Sequence, residues 1–132
     1  MFKLDLSPTY TLPVTVQVRG ADGTIQPETF QAEFLRMGPD DYAAFQDEIK
    51  AQQLSDAMIA RRILRGWQDL ASAAGDPVPF DDMHRDVLLN QVTGASAALV
   101  RTWMDSVMED VRKNWMPPDA TGSAAAAKTE TA

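Results

Sequence analysis

The chain has 132 residues, 45% of them apolar and 23% charged, which is the balance of one globular domain able to bury roughly two-thirds of its unfolded surface. It has no cysteine and one histidine, His84, which excludes disulfides, thiol nucleophiles, zinc–cysteine sites and iron–sulfur clusters. Nineteen acids against twelve bases give a net charge of −7, a surface that repels phosphate backbones, so nucleic acid is not an expected partner.

Met1-Phe2-Lys3-Leu4-Asp5 is charged at once and runs into Ser7-Pro8, so no signal-peptide core is expected. No apolar window reaches about 18 residues, so no membrane partner is expected and the cytoplasm is the expected location. Val14, Val16 and Val18 alternate with Thr15, Gln17 and Arg19, and Phe30, Ala32 and Phe34 alternate with Thr29, Gln31 and Glu33. Period two on both sides of Gly20-Ala21-Asp22-Gly23 predicts an antiparallel hairpin with its loop over residues 20–27. Thr9 to Leu12 extends the first strand, and Pro8 and Pro13 point to an edge or a bend.

Helices follow. Pro39 with Asp40 and Asp41 suits a first helical turn, and Tyr42, Phe45 and Ile49 then share one face. Ser55 or Asp56 caps a second helix, in which Ile59, Ile63 and Trp67 recur at i, i+4 and i+8. Ala71 to Phe80 reads as a loop from its glycine and two prolines. Asp81 caps a short helix, Asp82 to about Gln91, with Met83, Val87 and Leu88 on one face, and Thr93-Gly94 breaks it. Val100, Trp103 or Met104, Val107, Val111 and Trp115 keep helical spacing in a last helix from Ala95 to about Trp115, ended by Pro117-Pro118. The expected fold class is α+β: an N-terminal antiparallel β-hairpin packed on a bundle of about four α-helices. Residues 1–116 form the domain; residues 117–132 are a low-complexity tail expected to be disordered.

Catalytic equipment is sparse. Asp81, Asp82, His84 and Asp86 are the one cluster of acid–base residue types, and helix capping accounts for them better than catalysis or metal binding does. No phosphate loop is present, and neither Ser106 nor Ser123 has a base that spacing can assign to it. Arg61, Arg62 and Arg65 read as a helix face answering Asp40, Asp41, Asp47 and Glu48. No enzyme, cofactor or metal site is expected. The last helix, by contrast, is apolar around more than half its circumference. Trp103, Met104, Met108, Val111 and Trp115, with Trp67 as a further candidate or a core anchor, are the expected partner-binding residues. A second copy of the chain is one partner that such a face would suit.

The order of features resembles the tail assembly chaperones of long-tailed phages and prophages. The carriers are the start Met-Phe-Lys-Leu-Asp-Leu-Ser-Pro-Thr-Tyr-Thr-Leu-Pro-Val and the Thr29–Phe34 strand. Gly66-Trp67, Gly75-Asp76-Pro77-Val78-Pro79-Phe80, an Ala-rich helix start after Gly94, and Arg112 to Trp115 follow in order. The chain departs from that pattern between Trp67 and Gly75, where the family has a short acidic turn and this chain has Asp69 before Leu-Ala-Ser-Ala-Ala. The resemblance implies a non-enzymatic protein that binds and solubilises the tape measure protein in the host cytoplasm during tail morphogenesis. It implies help in recruiting the tail tube protein, through a longer frameshifted form in many such systems, and absence from the mature virion. The alternative reading is a structural tail component or head–tail adaptor retained in the virion.

Overall fold

A computed structural model describes residues 2–114, so the expected tail at 117–132 and the candidate Trp115 lie outside the described residues. Seven elements follow in chain order: β1 (Thr9–Arg19), β2 (Ile25–Leu35), α1 (Pro39–Gln52), α2 (Asp56–Ile63), β3 (Leu64–Gln68), α3 (Asp82–Gln91) and α4 (Ala95–Asn114). The class is α+β, with a three-stranded antiparallel sheet in the order β1-β2-β3.

The hairpin forms as its alternation requires. Val14, Val16, Phe30, Ala32 and Phe34 are all buried on one face. Its loop is tighter than expected: β2 begins at Ile25, and Pro27 lies inside the strand opposite Gln17. Gly23, at φ 88°, turns the chain; Asp22 accepts from the Thr24 N–H at 3.0 Å and hydroxyl at 2.8 Å, which holds its carboxyl below the ordinary value of 3.8. The register explains why two prolines are tolerated. Opposed pairs alternate between bonded and non-bonded, and proline has no N–H to contribute. Pro13↔Gln31 and Gln17↔Pro27 lie four residues apart along β1, so both fall in the non-bonded class. The other class is bonded, as the Arg36 N–H donating to the Pro8 carbonyl at 2.9 Å illustrates. Pro13 therefore removes an outward N–H from the free edge of β1, which blunts it against further strands.

The second helix is shorter than its pattern predicts. It stops at Ile63, and Leu64–Gln68 pairs with β2 instead. The pairing skips a residue: Phe34 faces Leu64 but Glu33 faces Gly66, so Arg65 is a bulge. The bulge turns both Leu64 and Trp67 toward the core, and that spacing imitates a helical repeat. On the other face Gly66 lies under Glu33, whose carboxylate takes a hydrogen bond from Thr9 Oγ1 at 2.6 Å.

Helix ends follow local chemistry. Ser55 caps α2 by accepting from the Met58 N–H, and Asp81 caps α3 by accepting from the His84 N–H. Gln53, at φ 52°, closes α1, and Gly94, at φ 87°, lets the chain pass from α3 into α4. Helix α4 packs on α2 and β1, and its Ala95, Leu99, Val100 and Trp103 complete the core. The short helix α3 keeps only part of its expected face: Leu88 packs half-buried against the core beside the buried Leu89, while Met83 and Val87 are exposed.

Candidate functional site

Helix α4 carries four of the residues that the sequence singles out, Trp103, Met104, Met108 and Val111, and the structure divides them. Trp103 is fully buried and is corrected from partner candidate to core residue. Its indole packs against Tyr42 at 5.5 Å and Phe45 at 5.9 Å between ring centroids. Its Nε1–H donates to the Leu35 carbonyl at 3.0 Å, locking α4 to the end of β2. The wide apolar face had no room for that distinction, because an indole with its N–H satisfied is as much at home in a core as in an interface.

One turn further on, the apolar stripe leaves the core. Met104 is half-buried against it, Met108 is 48% exposed and Val111 is 54% exposed. Trp115 continues the same spacing outside the described residues. A groove of about 400 Å³ lies between this part of α4 and β1, bounded by Leu12, Met108, Asp105, Glu109 and Arg112. Ser106, one of its lining residues, ties α4 to β1. Ser106 Oγ donates to the Trp103 carbonyl at 2.6 Å, so its 2.7 Å contact with Tyr10 is a hydrogen bond donated by the phenol. Burial pushes the Tyr10 phenol above its ordinary value of 10.0. At the helix end Lys113 pairs with Glu109 at 3.5 Å in an i,i+4 arrangement. The result is a helical ledge with apolar side chains on one side and mixed charge on the other.

Trp67 takes the core-anchor alternative. Its Nε1–H donates to the Val78 carbonyl at 2.8 Å, and its ring meets Phe80 edge-on at 4.8 Å and Phe30 at 6.5 Å. The loop it holds is a small hairpin, with an Ala71↔Pro77 bridge and Gly75 at φ 91°. The Gly-Trp and Pro-Phe segments, separated in sequence, are thus one packed unit.

The titratable cluster resolves into ion pairs and a cap. Asp81 Oδ1 takes both the His84 N–H and the His84 ring N–H, each at 2.8 Å, and the backbone bond first and the ring bond second hold its carboxyl below 3.8. Arg61 pairs with Asp86 at 3.1 Å. Arg62 holds Glu48 through two hydrogen bonds, 2.8 and 3.2 Å, while lying 5.0 Å above the Phe45 ring. The basic patch therefore answers Glu48 as expected but finds Asp86 rather than Asp40, Asp41 or Asp47. Among the described residues no group of three or more His, Asp or Glu side chains is arranged to hold a metal ion. No helix among them is long and apolar enough to cross a membrane.

Two features were missed at the level of sequence. Phe2, Leu4 and Leu6 precede β1 with their side chains exposed. A second groove, about 570 Å³, opens where the hairpin, the Leu70–Ala73 segment and the end of α3 meet. The first had a signal, the alternation Phe-Lys-Leu-Asp-Leu; the second had none, because it depends on the path of the 69–80 loop. Comparison with family models, characterised proteins and solved structures gives no match.

Proposed function

We propose that the chain is a phage tail assembly chaperone: a binding protein, not an enzyme, that keeps the tape measure protein soluble in the bacterial cytoplasm and helps bring the tail tube protein to it. The observation that carries this reading is the apolar stripe of α4 continuing past the core onto Met108 and Val111. Methionine repacks easily, so one such ledge accepts many unrelated apolar helical segments. Covering the exposed halves of the two side chains is worth about 1 kcal/mol each, roughly 30-fold in affinity together. Sites of that strength release readily. Many of them along one long partner hold by avidity until the growing tube displaces them.

Two further observations support the reading. The net charge of −7 keeps a complex with a sticky partner dispersed. The Gly66-Trp67 and Pro77–Phe80 segments, part of the ordered set behind the resemblance, touch through Trp67 and Phe80. A longer frameshifted product would extend the chain from within residues 117–132 and carry the contact with tail tube protein.

The test is co-expression with a tape measure protein from a long-tailed phage or prophage that encodes this chain. The proposal expects that protein to partition into the soluble fraction only when this chain is present, and Met108→Glu with Val111→Glu to abolish the effect. The alternative of a tail component or head–tail adaptor predicts this chain in purified virions by mass spectrometry; the chaperone reading predicts its absence.

A further inference from the structure

We propose that the segment ahead of β1 is an arm that docks Phe2, Leu4 and Leu6 into the groove beneath the hairpin of a second copy of this chain. Phe2, Leu4 and Leu6 are 86, 70 and 76% exposed. In an extended segment their spacing puts all three on one side. The root of the arm is fixed rather than loose. The Asp5 carboxylate accepts from the Ser7 N–H and hydroxyl, and Arg36 donates from Nε to the Ser7 carbonyl at 2.8 Å and from its backbone to the Pro8 carbonyl at 2.9 Å. The three apolar side chains are therefore presented away from their own core.

The groove has the matching character. Val18, Phe30, Leu70, Leu88 and Val92 form its walls, and Glu28 and Asp69 stand among its lining residues. Neither acid makes an ion pair among the described residues, and Lys3 is the one cation of the arm. An arm seated by its apolar side places Lys3 where its long stem can reach those carboxylates.

Reach decides which copy is served. Thr9 pairs with Leu35 at one end of the hairpin, and the groove residue nearest that end, Phe30, lies opposite Val14, about 23 Å along the strand from Ser7. From the anchored Ser7 back to Phe2 a fully extended chain covers at most about 18 Å. The arm cannot fill its own groove; a neighbouring copy brings both parts at matched stoichiometry. Two copies that exchange arms satisfy both grooves, and a head-to-tail arrangement satisfies all but the ends unless it closes.

The chain has no cysteine, so introduced thiols report a single contact. Leu4→Cys on one preparation and Ala73→Cys on another place one thiol on the arm and one on an exposed position of the groove. Mixed at equal concentration and mildly oxidised, they are expected to give at least about tenfold more covalent heterodimer than either gives of homodimer alone, a bias beyond random collision. Adding Phe2→Ser and Leu6→Ser to the Leu4→Cys chain is expected to abolish the heterodimer while leaving the circular dichroism spectrum unchanged. Equal yields in the mixed and single samples would overturn the proposal. So would an intramolecular link in the chain carrying both thiols, or a wild-type chain whose light-scattering mass is monomeric throughout the micromolar range.

Discussion

Replacing Trp103 by Phe tests the division of α4 into core and ledge. The substitution keeps the aromatic contacts with Tyr42 and Phe45 in part, but it empties the space of the indole's second ring and leaves the Leu35 carbonyl without its 3.0 Å donor. The lost volume of roughly 40 Å³ costs about 1 kcal/mol at the rate measured for core cavities. The half-buried acceptor left without its donor adds about 1–3 kcal/mol, the lower end if water reaches it. The expected loss is therefore about 2–4 kcal/mol, a fall in Tm of roughly 8–16 °C for a domain of this size. Urea unfolding followed by circular dichroism should show a lower midpoint with an unchanged slope, since the exposed surface on unfolding is nearly the same. A loss below about 0.5 kcal/mol, the usual range for surface changes, combined with lost rescue of the tape measure protein, would refute the reasoning and return Trp103 to the partner face.

Other outcomes follow from the same geometry. Met108→Ala and Val111→Ala should each cost under about 0.5 kcal/mol in urea titrations, because both side chains already meet solvent, yet both should weaken partner binding in pull-downs. Gly66→Ala places a Cβ 2.7 Å from Glu33 Oε1, so Glu33 must release Thr9. The cost should be about 1 kcal/mol in the wild-type background and near zero in Glu33→Ala, a difference that a double-mutant cycle measures. The Asp81 and Glu48 carboxyls are held below their ordinary values by His84 hydrogen bonds and by the Arg62 hydrogen bonds respectively. Their contribution to stability is therefore complete above the ordinary carboxylate range and is lost as pH falls through the lowered values. Thermal melts should decline on acidification, and Asp81→Asn, which keeps an N-cap oxygen, should flatten that decline. Trp67→Phe should speed hydrogen exchange in the 69–80 loop, whose Val78 carbonyl loses its indole donor, while leaving exchange in α4 unaltered.

Much of the architecture was legible because the hairpin and α4 repeat their apolar residues at periods set by backbone geometry. The Val14–Val16–Val18 alternation has no other stable use, and Ser55 and Asp81 announce their helices by capping chemistry. The third strand was hidden by its bulge. Arg65 shifts the pairing so that Leu64 and Trp67, three residues apart, share a face, and Ile59, Ile63 and Trp67 then mimic one continuing helix. The face of α3 was partly misread because Met83, Val87 and Leu88 do share a helical side, whereas burial depends on where α2 and α4 lie; Leu89 faces them. The same limit applies to the candidate site. Sequence marked α4 as too apolar for one core, but the point where the core ends, between Trp103 and Met108, is fixed by β1 and by the Tyr10–Ser106 contact, which lie 96 residues apart.

The account turns on whether the ledge formed by Met108 and Val111 covers apolar segments of a long helical partner. The direct measurement is the soluble fraction of the proposed partner, a tape measure protein, co-expressed with the wild-type chain, with the Met108→Glu/Val111→Glu chain, or with none, after the variant is shown to melt like wild type. High solubility with the wild type alone is the predicted result. Equal solubility in all three samples, or full rescue by the variant, would contradict it.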